Sequence, residues 1–387
     1  MGVLRLLLAV CVFCSHSTQI ADLYWLDGSL AVELFFVISG FYIQLVLSTK
    51  YTPIKLGKKW RYKFYLARYT RLIPTYLLGF TLTLALALAL GTKDSHLLSV
   101  WAYSVHLVND FGNVLFKTYL ILTNFTLFFQ DIIMFLSSEN GFIHWTVNFH
   151  DTDAYLWQGM ALRQAWSLGI ELSFYLVAPF LLRFKSIVLV MIVTICLISK
   201  FSIINYFGLG DPWTYRFFPF ELGYFLIGSL SYRFTDSFTR FYQIRRGVLP
   251  AMIVYAIVIY FTTSRGYFRG EAIFYPLALG ILLPLIFRMT DGSRIDRFIG
   301  DFSYPFYIMH LLAFSLAGLT VRRFSITSAD FQTWLALILT IFLSYIALML
   351  ELRFVEAWRA RLGRPGNSTP SQAEGLSGST LSPRSPY

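Results

Sequence analysis

The chain has 387 residues, of which 56% are hydrophobic and only 14% charged, with 38 Phe, 24 Tyr and 9 Trp; its mean hydropathy is +0.60. A soluble domain carries about 25% charged residues, so this composition excludes an ordinary soluble protein and fits a polytopic membrane protein with interfacial aromatics. The net charge of +11 would suggest nucleic acid in a soluble protein, but here Lys and Arg gather in short stretches between apolar runs, where they set topology; the partner implied is membrane lipid and no nucleic acid.

Apolar runs of about 17–25 residues read as transmembrane helices. About ten occur, at 4–20, 28–48, 72–91, 167–183, 186–206, 216–232, 248–263, 272–288, 302–320 and 332–351. The expected fold is all-α: one bundle of about ten membrane-spanning helices over residues 1–352, in a multi-pass protein of the cell inner (cytoplasmic) membrane.

The first run begins almost at Met1 and ends in CVFCSHS, residues 11–17. It has the length of a signal peptide, but no small-x-small cleavage site follows and a second span comes next, so it reads as retained. An ionisable ring in such a run is costly unless it is used or satisfied, which singles out His16. Arg5 and His16 are eleven residues apart. On a helix they fall within about 20° of one face and about 16 Å apart along the axis. Cys11 and Cys14 form a C-x-x-C with no second pair and, like Cys196, read as packing.

The second run holds Glu33 at its outer end. Residues 49–71 then carry Lys50, Lys55, Lys58, Lys59, Arg61, Lys63, Arg68 and Arg71 with no acid. This stretch should be cytoplasmic, and by alternation so should both termini and the basic loops 183–185, 233–247 and 289–301. The loops 264–271 and 321–331 each hold two Arg, so the asymmetry is incomplete. Arg68 and Arg71, at i and i+3 in ARYTRLIPTY, share a helix face; two guanidiniums at a membrane mouth suit a phosphorylated ligand.

Residues 92–166 are irregular. TYLILTNFTLFFQDIIMFL (118–136) is interrupted by Asn124, Gln130 and Asp131. A full crossing there would invert the downstream charge pattern, so it reads as a re-entrant or interfacial helix on the outer side. Asp151 and Asp153 form a D-x-D of the kind that holds a metal in membrane glycosyltransferases, but such triplets arise by chance and no metal is expected. The fourth run opens AWSLGIELSFYLVAPF and carries Glu171 in its first turns, a candidate because a carboxylate in an apolar helix is rarely idle. In the ninth run Ser303, Tyr307 and His310 recur at i, i+4 and i+7 on one stripe. The tail, 353–387, is rich in Ser, Pro and Gly and reads as a disordered cytoplasmic extension. No G-x-S-x-G, Walker A or H-E-x-x-H sequence occurs.

In order along the chain stand R-x10-H (Arg5 to His16), AVELFFVISGF (31–41), ARYTRLIP (67–74), TNFTLFFQD (123–131), WSLGIELSFY (166–175), RFFPFELGYFLIG (216–228) and SYPFYIMH (303–310). Together they resemble the membrane acyltransferase 3 family over about residues 5–315. Glu33 stands where that family often has Asp, and no hydrolase-like domain follows the last span. The resemblance implies transfer of an acyl group, usually acetyl, from cytoplasmic acyl-CoA as co-substrate to a hydroxyl of a cell-envelope carbohydrate or other glycosylated acceptor, with no bound cofactor. It implies His16 as the catalytic base and Arg5, Arg68 and Arg71 as donor-binding or supporting residues. Glu171 or Glu33 would orient His16, while Trp166, Ser167, Tyr175, Ser303, Tyr307 and His310 would support the site and its oxyanion. The alternative from another class is a transporter or flippase for a glycan or small solute, in which the buried His and Glu relay protons.

Overall fold

The computed structural model describes residues 1–17, 26–94, 110–139, 142–150, 155–235, 274–326 and 328–355. The apolar runs form helices: α1 (Gly2–Ser15), α2 (Gly28–Thr49), α3 (Trp60–Asp94), α5 (Trp166–Leu181), α6 (Ser186–Asn205), α7 (Phe218–Arg233), α8 (Phe274–Thr290), α9 (Arg294–Arg323) and α10 (Ala329–Phe354), with α4 (Asp110–Thr126) in the irregular segment. The expected span 248–263 lies outside the described residues, as do Asp151, Asp153 and the tail from 356. Among the described residues, five helical stretches are long and apolar enough to cross a membrane: Gly28–Thr49, Pro53–Gly91, Ser186–Asn205, Arg294–Arg323 and Ala329–Phe354; α1 and α8 are apolar but shorter. The architecture is that of an all-α, multi-pass membrane protein.

Local chemistry sets the helix starts. The Asp27 carboxylate accepts from the Ser29 and Leu30 amides and caps α2, and the Ser293 and Ser328 hydroxyls cap α9 and α10. The bundle closes where side chains vanish. A Cβ on Gly40 of α2 would run into the Phe225 carbonyl of α7, and one on Gly228 of α7 into the Val37 carbonyl of α2. Backbones can approach so closely only through small residues, as in membrane helix pairs generally. The Ser229 hydroxyl adds a 3.1 Å hydrogen bond to the Gly40 carbonyl. Helix α1 lies on α9, with Phe13 stacked on Phe314 at 4.7 Å between ring centroids.

A buried charge cluster ties α2, α6 and α7. The Lys200 ammonium donates to Glu33 Oε1 at 2.6 Å and to Glu221 Oε1 at 2.7 Å and sits 4.5 Å over the Tyr224 ring. Around the perimeter the apolar side chains face out, for example Ile187, Met191 and Ile195 of α6 and Ile338 and Phe342 of α10. Exposed apolar helix faces of this extent are what a lipid environment accepts.

The expected single re-entrant helix at 118–136 is instead broken midway. Helix α4 stops at Thr126, Leu127 and Phe129 take left-handed φ values of 67° and 62°, and a 3-10 turn, Asp131–Phe135, leads into a hairpin of β1 (Leu136–Glu139) and β2 (Phe142–Trp145). The polar residues that interrupt the run explain the break. Asn124 donates to the Leu120 and Gly159 carbonyls and accepts from the Ala161 amide. Gln130 donates to the Tyr76 hydroxyl and the Thr123 carbonyl. These side chains satisfy backbone groups that the missing helical turns leave open, as a buried chain requires.

Candidate active site

Two cavities, each of about 740 Å³, lie at opposite ends of α1. Arg5 lines one and His16, the residue after the last turn of α1, lines the other. The eleven-residue spacing therefore does turn both toward cavities, but toward different ones.

The Arg5 cavity is built from α1, α2, α3, α5 and α9 and brings together Arg5, Arg68, Arg71, Glu171, Tyr175, Ser303 and Tyr307. Arg68 and Arg71 reach it because one turn of α3 separates them. Arg71 stands 3.7 Å from Asp301, and the Arg68 guanidinium lies 6.0 Å over the Tyr51 ring. Among the described residues, neither Arg5 nor Arg68 has a carboxylate within ion-pair distance. Glu171 accepts from the Ser39 hydroxyl at 2.6 Å and from the Tyr175 hydroxyl one turn along α5. Its position is thus locked on the wall of the Arg5 cavity. Four guanidiniums (Arg5, Arg68, Arg71, Arg297) and Lys50 face Glu171, Asp291, Asp296 and Asp301 there, so the surplus is a single positive charge, and Arg5 and Arg68 are the guanidiniums placed to meet an anionic ligand that enters at that end.

The His16 cavity is lined by the start of α2 (Asp27, Gly28, Ser29), the segment before α5 with its first residue (Arg163, Gln164, then Trp166), the segment before α7 (Asp211, Tyr215, Arg216), and Phe149, His150 and Trp157. Its charged groups are mostly committed. Arg216 pairs with Asp211 through Nε at 2.6 Å and Nη2 at 3.0 Å, and its guanidinium covers the Trp166 ring at 4.4 Å. Next to His16 lies His310 of α9, ring centroid to ring centroid 5.4 Å. His310 Nδ1 is 2.6 Å from the Tyr307 carbonyl, so it carries the proton and donates, which makes Nε2 the bare, accepting nitrogen. That Nε2 is buried with no partner.

The two cavities have Val32 and Tyr307 in common. The Tyr307 hydroxyl is 2.7 Å from Ser167 Oγ and donates to the Gln164 carbonyl at 3.1 Å. Gln164 in turn donates to the Ile308 carbonyl at 2.6 Å. This layer of hydroxyls lies between the Arg5 end and the His16 end.

Neither acid expected to orient His16 is beside it. Glu171 belongs to the other cavity, and Glu33 is spent on Lys200; the ring next to His16 is His310. Ser303 donates to the Gly300 carbonyl at 2.6 Å within its own helix. Sequence reasoning passed over Lys200, Glu221, Arg163 and Arg216. Lys200 was readable as a lone cation inside an apolar run, and Arg163 as a cation at a span's outer end, against the topological charge bias.

The family model described as an acyltransferase domain, of the acyltransferase 3 type, matches residues 1–350. An uncharacterized protein of Aquifex aeolicus (strain VF5) is 26% identical over 211 residues, which covers 53% of this chain and 92% of that protein. No solved structure matches the chain.

Proposed function

The chain belongs to the acyltransferase 3 family, and from that premise we propose that it moves an acyl group, acetyl in the simplest case, from cytoplasmic acyl-CoA to a hydroxyl of a cell-envelope carbohydrate. One observation carries the reading: Arg5 and His16, on one helix, line two cavities that meet at Tyr307. A donor and an acceptor approaching from opposite sides need such an arrangement.

In this reaction Arg5, Arg68 and Arg71 pair with the phosphates of the donor, each as a charge-assisted hydrogen bond. The pantetheine arm lies along α2 and α5 and brings the thioester carbonyl to the Tyr307 layer. His16, as neutral imidazole, takes the proton of the acceptor hydroxyl while its oxygen attacks that carbonyl. The tetrahedral oxyanion is met by the Tyr307 and Ser167 hydroxyls. Collapse breaks the C–S bond, and the proton on His16 goes to the departing thiolate, so ester and free thiol are the products. His310, held neutral with Nε2 unprotonated, stands beside the imidazolium that forms and can share its proton.

The test is transfer of radiolabelled acetyl from acetyl-CoA to envelope glycan in inverted membrane vesicles. His16→Ala should reduce labelling at least 10³-fold with the protein still inserted, as about expected for loss of a general base. Arg68→Gln and Arg71→Gln should raise the KM for acetyl-CoA. Undiminished labelling by His16→Ala would overturn the assignment.

A further inference from the structure

Among the described residues, the His16 cavity contains one cation, Arg163, that no carboxylate pairs. Asp27 is occupied by the amides that open α2. Asp211 is held by both arms of Arg216 and by the Tyr215 hydroxyl at 2.9 Å. Arg163, which stands just before α5, has no carboxylate within ion-pair distance among the described residues. Its guanidinium lies over the Trp157 ring at 5.4 Å and lines the cavity. It is half-buried, and burial pushes it below the usual guanidinium value. A cation in that state gains most from an anion brought by a ligand. Helix α5 begins beside it with no side chain capping its free amides, so the backbone adds positive potential on the same side. Phe149, Trp157, Trp166 and Tyr215 supply flat aromatic faces around it, the surface that a sugar ring's C–H face packs against.

We infer that the hydroxyl-bearing substrate of the His16 cavity is an anionic saccharide, whose carboxylate or phosphate ester pairs with Arg163 while its ring lies on the tryptophans. This rests on the acyl-transfer reading and names the class of acceptor. A guanidinium forks onto either anion with two parallel hydrogen bonds. The distance from Arg163 to His16 then selects which hydroxyl of the ring is acylated.

The experiment uses the full chain in nanodiscs and reads tryptophan fluorescence, since Trp157 and Trp166 line the site, with glucuronic acid, glucose 6-phosphate and glucose as probes. At least one of the two anionic sugars should half-saturate at a concentration about tenfold below that for glucose, as expected for one charge-assisted contact, and which one does so tells carboxylate from phosphate. Arg163→Gln should erase the difference, Arg163→Lys should keep part of it, and added salt should weaken only the anionic sugar. Equal binding of all three, no binding of any, or a preference that survives in Arg163→Gln would overturn the inference. The same preparations are then given acetyl-CoA, and released CoA is measured. A preference that depends on Arg163 without CoA release fails the acyl-transfer reading and leaves the anion site standing; CoA release that depends on neutral sugar and ignores Arg163 fails the anion site alone.

Discussion

At the scale of single residues, burial gives the same chemical group opposite uses. Glu33 and Glu171 are both acids in apolar helices, and the sequence marks both as candidates for one task. The structure separates them through their partners: Lys200 for one, Ser39 and Tyr175 for the other. Those partners lie on other helices or one turn away, beyond what a linear reading can assign. His16 and Arg5 were legible because their relation is internal to a single helix and follows from its pitch. The Lys200 cluster makes a sharp prediction. Lys200→Met would leave two carboxylates facing each other with no cation, at a cost of about 3 kcal/mol. Thermal unfolding in detergent should show a clear drop in midpoint for Lys200→Met, largely recovered when Glu33→Gln and Glu221→Gln are added. A single substitution without effect would mean that the cluster holds nothing together.

At the scale of elements, helix identity and order among the described residues were readable because each apolar run is long; charge did not mark every break, since α3 and α9 begin at Trp60 and Arg294, inside basic stretches expected as loops. The irregular segment 92–166 was not readable, since its course depends on where Asn124 finds distant backbone groups and Gln130 the distant Tyr76 hydroxyl. Asp131 belongs to the same turn. It packs against the start of α5, where a side chain on Gly169 would collide with its carboxylate, and one of its oxygens is buried without a partner. Burial pushes its pKa from 3.8 up to about 7. A folded-state value above the unfolded one means that the side chain's contribution to stability is complete below about pH 4 and is lost as pH rises through about 7. Asp131→Asn, neutral throughout, should therefore match the wild type in thermal midpoint near pH 4 and exceed it by a growing margin up to pH 8. Parallel curves across that range would show that the carboxyl is not held neutral by the fold.

At the scale of the whole molecule, the described part of the bundle holds a cavity rich in guanidiniums and another rich in aromatics, with α1 running from one to the other. Composition and loop charge made the membrane character and the basic end visible in advance. The division into two chambers was not visible, because Val32, Ser167 and Tyr307 come from three helices and meet only in the folded bundle. That shared wall has a bearing on the membrane itself. A passage open from end to end would admit ions, each driven by about 2.3 kcal/mol per 100 mV of potential. Tyr307 and Val32 stand between the chambers, so in the proposed reaction the acyl group would be handed over at the wall while the electrical seal of the bilayer is kept. Liposomes carrying Tyr307→Gly, loaded with a pH-sensitive dye, should lose an imposed proton gradient within minutes, while wild-type liposomes hold it as well as empty ones; equal retention by both would assign the seal to other residues. If the proposed transfer takes place at this wall, the tyrosine that meets the oxyanion also insulates the cell from the cost of reaching across its own boundary.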